Sequence, residues 1–305
     1  MRTSTAIDLA TRVRTAATLL FVPADRPERF AKATAANPGL VVLDLEDAVA
    51  PAAKDAARDN AVAWIAAGNA CAVRVNAAGT RWHDDDLAAL APLHCAVMLP
   101  KAEIGVLPAV LATLTAGRAG RGSGSLAPGS PLGDVDTPAP LIALIETAAG
   151  VVHAAAVAAT AGVDRLAIGT FDLAAEIGVD PADRDALAGT RHTVVLASAA
   201  AGLPGPIDGV TGVVDDADLV HDDATYGRRL GCTGKLCIHP RQLDPVTTAF
   251  RPTAREHAWA RKILDATTET SGVAVVDGTM VDKPVVDRAR RILAQLDTTD
   301  SKELP

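Results

Sequence analysis

The feature that most constrains this chain is a recurrence: strand-sized apolar runs return along it, separated by Ala-rich stretches of helical length. Five are strong, TLLFV at 18–22, LVVLDL at 40–45, CAVRV at 71–75, CAVML at 95–99 and LIALI at 141–145. Their apolar residues are consecutive rather than alternating, which implies burial on both faces and a parallel sheet covered by helices. RLAIG at 165–169, LPGPIDG at 203–209 and KLCIH at 235–239 bring the set to the eight strands of a (β/α)8 barrel, the seventh being the weakest because it holds two prolines. The intervening stretches read as helices. From Pro51, which suits a first helical position, Val62, Ile65 and Ala66 mark an apolar face before Gly68 offers a stop. The expected fold is therefore an α/β (β/α)8 TIM barrel. An open doubly wound sheet would place a glycine-rich nucleotide fingerprint after its first strand, where this chain has FVPADRPERF.

Residues 1–250 are expected to form this barrel. Within it, the segment 117–138 is rich in Gly, Ser and Pro without periodicity and reads as a mobile surface loop. Residues 251–305 exceed what closing a barrel requires. A helical stretch at 253–267, a hairpin about Asp277-Gly278 and a helix from Pro284 predict a C-terminal helical and hairpin arm, packed on the barrel or on a neighbouring subunit.

With 49% hydrophobic residues in 305, the chain has the material for a large core. A formal charge of -8 gives no diffuse basic field for nucleic acid or an anionic membrane, so anionic ligands must meet local clusters of Lys and Arg. The apolar runs fall far short of the roughly 20 residues of a membrane span. No apolar core of signal-peptide length precedes TLLFV, and the start of the chain reads as flexible. The four cysteines lack C-x-x-C spacing, which points to a reducing, cytoplasmic setting without structural zinc.

Polar residues gather at or just beyond the C-terminal ends of the strands: Glu46 and Asp47, Arg74 and Asn76, Lys101, Glu146, Asp172, Asp208 and His239. That end is the active-site face of such a barrel. Glu146 and Asp172 follow adjacent strands and suit Mg2+, which takes one or two protein carboxylates and leaves its other positions to water and substrate; both could instead cap helices. Arg74, ending an apolar strand, needs a carboxylate, either a substrate's or that of Glu46 or Asp47. Arg26, Arg29 and Lys32 form a compact basic patch at a helix start that fits phosphate, although solvated basic residues are common on helices. His83 with Asp84, Asp85 and Asp86 is consecutive and cannot easily converge on a metal; Asp86 is expected to be an N-cap.

At these residues the chain resembles the citrate lyase beta-subunit and CoA-ester lyase family, also called HpcH/HpaI aldolases. The resemblance is carried by LLFVPADRPERFAKA, VVLDLEDAVAPAAKDAAR, VRVN, LPKAE, LIALIETAAGV, IGTFDLAAEIG, GKLCIHPRQ and GTMVDKPVVDRAR, in order from residue 19 to about 291. It implies Mg2+ on Glu146 and Asp172, Arg74 on the carboxylate of a 2-keto acid, and Glu46 and Asp47 in support at the catalytic centre. It also implies a trimer or hexamer in which the arm covers a neighbour's site and delivers Asp282 as acid or base. Arg26, Arg29 and Lys32 match positions near the coenzyme A phosphates, and Lys235, His239 and Pro240 lie in the segment lining its nucleotide end. The implied reaction is retro-Claisen cleavage of a 3-hydroxyacyl-CoA such as malyl-, citramalyl- or citryl-CoA. Competing readings are a CoA-free class II pyruvate aldolase, which would have no use for the basic patch, a citrate lyase complex subunit that works on an acyl-carrier-protein thioester, and a silent binding subunit. Phe171, directly before Asp172, stands where relatives often have a polar residue, and bears on the substrate.

Overall fold

The computed structural model describes residues 8–119, 139–268, 274–276 and 278–300. Eight strands, β1 (Thr18–Pro23), β2 (Leu40–Asp44), β3 (Ala72–Arg74), β4 (Ala96–Leu99), β5 (Leu141–Ile145), β6 (Val163–Ile168), β7 (Ile207–Asp208) and β8 (Gly234–Cys237), close into a barrel in chain order. Every neighbouring pair is parallel, including β8 on β1. All eight expected strands are present. β7 is cut to two residues because Pro204 and Pro206 have no N–H to give a ladder.

The helices in chain order are α1 (Leu9–Thr15), α2 (Phe30–Ala35), α3 (Lys54–Ala66), α4 (His83–Leu90), α5 (Leu107–Ala119), α6 (Ala148–Val152), α7 (Ala154–Ala158), α8 (Thr170–Ile177), α9 (Ala188–Ala200), α10 (Ala217–Leu230), α11 (Leu243–Phe250), α12 (Ala254–Thr268) and α13 (Lys283–Asp300). Pro51 opens a short 3-10 turn ahead of α3, whose buried face is Lys54, Ala57, Ala61 and Ile65. The expected face is thus rotated: Ala66 is exposed and Val62 only half-buried. Residues 117–119 belong to α5, and the remainder of the expected loop lies outside the described residues.

Side chains alternate across a strand, and this parity decides which residues point into the barrel. Leu19, Leu40, Val42, Ala72, Ala96, Met98, Ile142, Leu144, Ala167, Ile207 and Leu236 fill the interior, joined by Leu9 and Val13 of α1 and by Ala16, which ends that helix. That helix is fastened by Arg165, fully buried, whose Nη1 donates to the carbonyls of Val13 (3.0 Å) and Ala16 (2.8 Å). Its Nε donates to the Gly205 carbonyl at 3.1 Å and its Nη2 to Thr233 Oγ1 at 3.0 Å. A cation on the last carbonyls of α1 also complements the helix dipole.

The chain divides into two compact units, residues 1–249 and 250–305. In the second, α12 and α13 flank an antiparallel hairpin of β9 (Ala274–Val276) and β10 (Thr279–Val281). Ala260, Ile263, Val276, Val281, Ala289 and Ile292 make its core. Gly278 adopts φ 75°, a turn conformation that favours glycine; its expected turn partner Asp277 lies outside the described residues.

Candidate active site

Carrying the inward parity one step beyond the barrel core reaches Asp44 on β2, Arg74 on β3 and Glu146 just after β5. Asp44 and Arg74 are register partners. The guanidinium grips the carboxylate with two bonds, Nε to Oδ1 at 2.8 Å and Nη2 to Oδ2 at 2.7 Å. Its remaining corner, Nη1, lies 3.1 Å from Glu46 Oε2 and 3.4 Å from Asp47 Oδ2. Phe21 stacks beneath it at 4.9 Å. Burial alone would lower the Arg74 pKa, but the hydrogen bonds and charge of Asp44, with Glu46 and Asp47, more than reverse it, so the side chain is a fixed cation. The sequence reading missed Asp44; its signal was the one acid inside an apolar strand, level with the one arginine in the next.

Asp44 also shapes the turn that carries Glu46, accepting from the N–H of Glu46 at 2.9 Å and of Ala48 at 3.2 Å. Behind that turn the buried Lys54 donates to the carbonyls of Leu45 and Glu46, both at 2.8 Å, and to Asn76 Oδ1 at 2.5 Å. Asn76 in turn donates from its N–H (3.0 Å) and its amide (2.7 Å) to Asp86 Oδ2. Asp86 is therefore not the expected N-cap. It is buried in the first turn of α4, where it braces Asn76 and pairs with Arg58 at 3.2 Å.

Glu146, 2% exposed, caps no helix; it accepts the Lys101 N–H on Oε1 at 2.9 Å. Gly169 makes its position possible, because a Cβ there would collide with the Glu146 carboxylate. Asp172 sits inside α8, whose N-cap is Gly169, and is likewise no cap. The Lys101 ammonium lies among three carboxylates: 3.3 Å from Glu46 Oε1, 3.8 Å from Glu146 Oε1 and 4.0 Å from Asp172 Oδ1. Burial, then the charges of Glu46 and Asp172, push the Glu146 pKa up to about 8 against the pull of Lys101 and Arg74. Burial, partly offset by Arg74, raises Glu46 to about 6.

Anions held this close want a cation between them, and the donor set is oxygen only, as hard divalent ions prefer. No group of three or more His, Cys, Asp or Glu among the described residues is spaced to enclose an ion alone. Glu146 and Asp172 fit an ion whose shell is completed by water and substrate.

The structure separates the remaining expected residues. Arg26, Arg29 and Lys32 are exposed on the 3-10 turn and α2 that follow β1, and among the described residues Arg29 and Lys32 have no ion-pair partner. His239 and Pro240 follow β8, the neighbour of β1, so both segments leave the barrel mouth side by side. His239 opens a capped turn in which Gln242 ties back to the carbonyls of Thr211 (2.8 Å) and Val213 (2.9 Å). Lys235 corrects the expectation. Its parity is outward, and at 1% exposure it lies beneath the helix layer, 2.8 Å from Asp223 Oδ2 and 3.5 Å from Asp208 Oδ2. Asp208, expected at the mouth, faces the same way and holds Arg191 at 2.8 Å. Asp282 is in the second unit, at the start of α13, where its carboxylate accepts the Val285 N–H at 3.3 Å.

Similar proteins place this arrangement. A citrate lyase subunit beta-like protein of Mycobacterium tuberculosis is 37% identical over 281 residues, covering 90% of this chain and 93% of the relative. A (3S)-malyl-CoA thioesterase of Cereibacter sphaeroides is 32% identical over 286 residues, covering 91% and 93%. The crystal structure of CitE from M. tuberculosis in complex with magnesium, acetoacetate and coenzyme A superposes with a TM-score of 0.76 at 36% identity, over 93% of this chain and 98% of that one. The family model for HpcH/HpaI aldolase/citrate lyase matches residues 17–240, from the first strand through the turn after the eighth. Sequence and barrel agree, and the chain belongs to the HpcH/HpaI aldolase/citrate lyase family.

Proposed function

We propose that this protein is a Mg2+-dependent carbon-carbon lyase that cleaves, or forms, a 3-hydroxyacyl thioester of coenzyme A such as malyl-, citramalyl- or citryl-CoA, giving an acyl-CoA and a 2-keto acid. The observation that carries the reading is the convergence of Glu46, Glu146 and Asp172 beside Arg74 at the barrel mouth. The CitE complex with magnesium, acetoacetate and coenzyme A supports it.

Glu146 and Asp172 would hold the metal. Bound there, Mg2+ supplies Lewis acidity that draws charge from the oxygens of the keto-acid portion. Arg74 has two of its three nitrogens committed to Asp44, so its Nη1 corner is the part that meets the substrate carboxylate, with orientation fixed by the Asp44 clamp. Glu46 and Asp47 border that corner and are positioned to take the proton of the substrate hydroxyl. As the carbon-carbon bond breaks, its electron pair passes to the thioester-bearing carbon, and Asp282 returns a proton there. Asp282 lies on the arm, and we assign its delivery to a neighbouring subunit in a trimer or hexamer. Arg26, Arg29 and Lys32 meet the phosphates of coenzyme A, with His239 and Pro240 beside them. A cytoplasmic setting is supported by four free, buried cysteines.

The test is release of 2-keto acid and acyl-CoA from the three thioesters, with Mg2+ and with EDTA, for the wild type, Glu146→Gln and Arg74→Met. We expect one thioester to be cleaved only with metal, and each substitution to lower kcat/KM by about 100-fold or more. Free coenzyme A in place of acyl-CoA would show that the product thioester is also hydrolysed. Cleavage undiminished by EDTA and by Glu146→Gln would overturn the metal-site assignment.

A further inference from the structure

Lys101 is one of two described residues other than glycine with a left-handed backbone, at φ 47°; the other is an asparagine, which tolerates that region far better than lysine does. What the strained conformation achieves is visible in its contacts. The turn after β4 is pinned on the far side by the Ala102 N–H, which donates to the Leu144 carbonyl of β5 at 3.0 Å. Within it the Lys101 N–H donates to Glu146 Oε1 at 2.9 Å, and the side chain folds back so that its ammonium lies 3.8 Å from that same oxygen. One residue thus presents both main-chain and side-chain positive charge to a single buried carboxylate, and strain of this kind collects at functional sites.

The spacing shows what the ammonium is doing. Its distances of 3.3, 3.8 and 4.0 Å to Glu46, Glu146 and Asp172 are those of a cation shared among anions. A Mg2+ ion needs ligand oxygens at about 2.0–2.1 Å, so the carboxylates must draw in around it and leave no room for Nζ between them. The Lys101 side chain is 40% exposed, so a path outward is open.

We infer that the Lys101 ammonium is the resident cation of this cluster and that a divalent ion binds by displacing it. The inference rests on the proposed metal site and adds a residue that sets how tightly the metal is held. Lys101 keeps the three carboxylates together in the metal-free protein and then competes with the ion for them. The left-handed backbone keeps the Glu146 hydrogen bond in both states, so the carboxylate stays aimed while the ammonium moves.

Two measurements test it. Calorimetric titration of Mg2+ at pH 9, where protons compete less for the cluster, should show Lys101→Met binding about tenfold more tightly than wild type, with Lys101→Arg close to wild type. In wild type, labelling of Lys101 by an amine-reactive ester, followed by mass spectrometry, should rise severalfold when Mg2+ saturates the site. Equal or weaker Mg2+ binding by a folded Lys101→Met, or labelling indifferent to Mg2+, overturns the displacement while leaving the metal site standing. No Mg2+ binding to either protein overturns both.

Discussion

Glu146 shows at the scale of one residue how the site stores its electrostatics. Its carboxylate is buried and faces Glu46 and Asp172, so the folded protein holds a proton there far more readily than the unfolded chain does, with a pKa of about 8 against an ordinary 4.5. A carboxyl raised in this way contributes its full stability below the unfolded value and loses it as pH rises through the folded one. In EDTA the melting temperature should therefore fall between pH 4.5 and 8, by on the order of 5 °C or more attributable to this group. Glu146→Gln, which keeps the acceptor for the Lys101 N–H, should flatten that part of the curve; thermal scans across the range check it. A wild-type curve that matched the variant's would mean the carboxylate carries no such strain.

At the scale of the strand, parity sorts charged residues that look alike in the sequence. Glu146 continues the inward row of Ile142 and Leu144, whereas Asp208 and Lys235 sit next to the inward Ile207 and Leu236 and so point out, against α9 and α10. There Arg191, Lys235, Asp208 and Asp223 form a buried network, and Gly227 leaves room for it, since a Cβ would stand 2.6 Å from Asp208 Oδ2. Lys235→Met should then destabilise the fold by about 3–5 kcal/mol, because two acids lose a buried cation. Coenzyme A affinity should stay within about twofold of wild type while Arg29→Ala weakens it; chemical denaturation and a binding titration separate the effects. Arg165 is the comparable case under α1. It was unmarked in the sequence because its acceptors, three main-chain carbonyls and the Thr233 hydroxyl, are brought together only by barrel closure.

For the whole molecule, the proposed assembly has Asp282 act in a neighbour's site. It belongs to the second unit, which has a core of its own. Under the proposed assembly a site takes Glu146 from one subunit and Asp282 from the next, so two inactive proteins can complement each other. Co-expressing Glu146→Gln with Asp282→Asn should restore activity to about a quarter of the sites, the fraction expected from random mixing around a ring. Each variant alone stays inactive. A co-expressed mixture as inactive as its parents would place Asp282 on its own barrel or outside the chemistry.

The sequence by itself determined the barrel, because eight strand-sized apolar runs need a parallel sheet covered by helices on both faces, and the stretch after the first of them lacks the glycine fingerprint of an open doubly wound sheet. It also marked the acids and the arginine at the strand ends, and its resemblance to the citrate lyase beta-subunit family named Glu146, Asp172 and Arg74. Only the tertiary structure decided which strand-end charges meet. Strands buried on both faces carry no alternation that tells inside from outside, so Asp208 and Lys235 could not be distinguished from Glu146 until closure fixed the parity. Asp44 and the role of Lys101 emerged for the same reason: a clamp set by the β2–β3 register, and an ammonium set among acids from the turn after β2, the end of β5 and the first turn of α8, exist only once the barrel has brought them to one point.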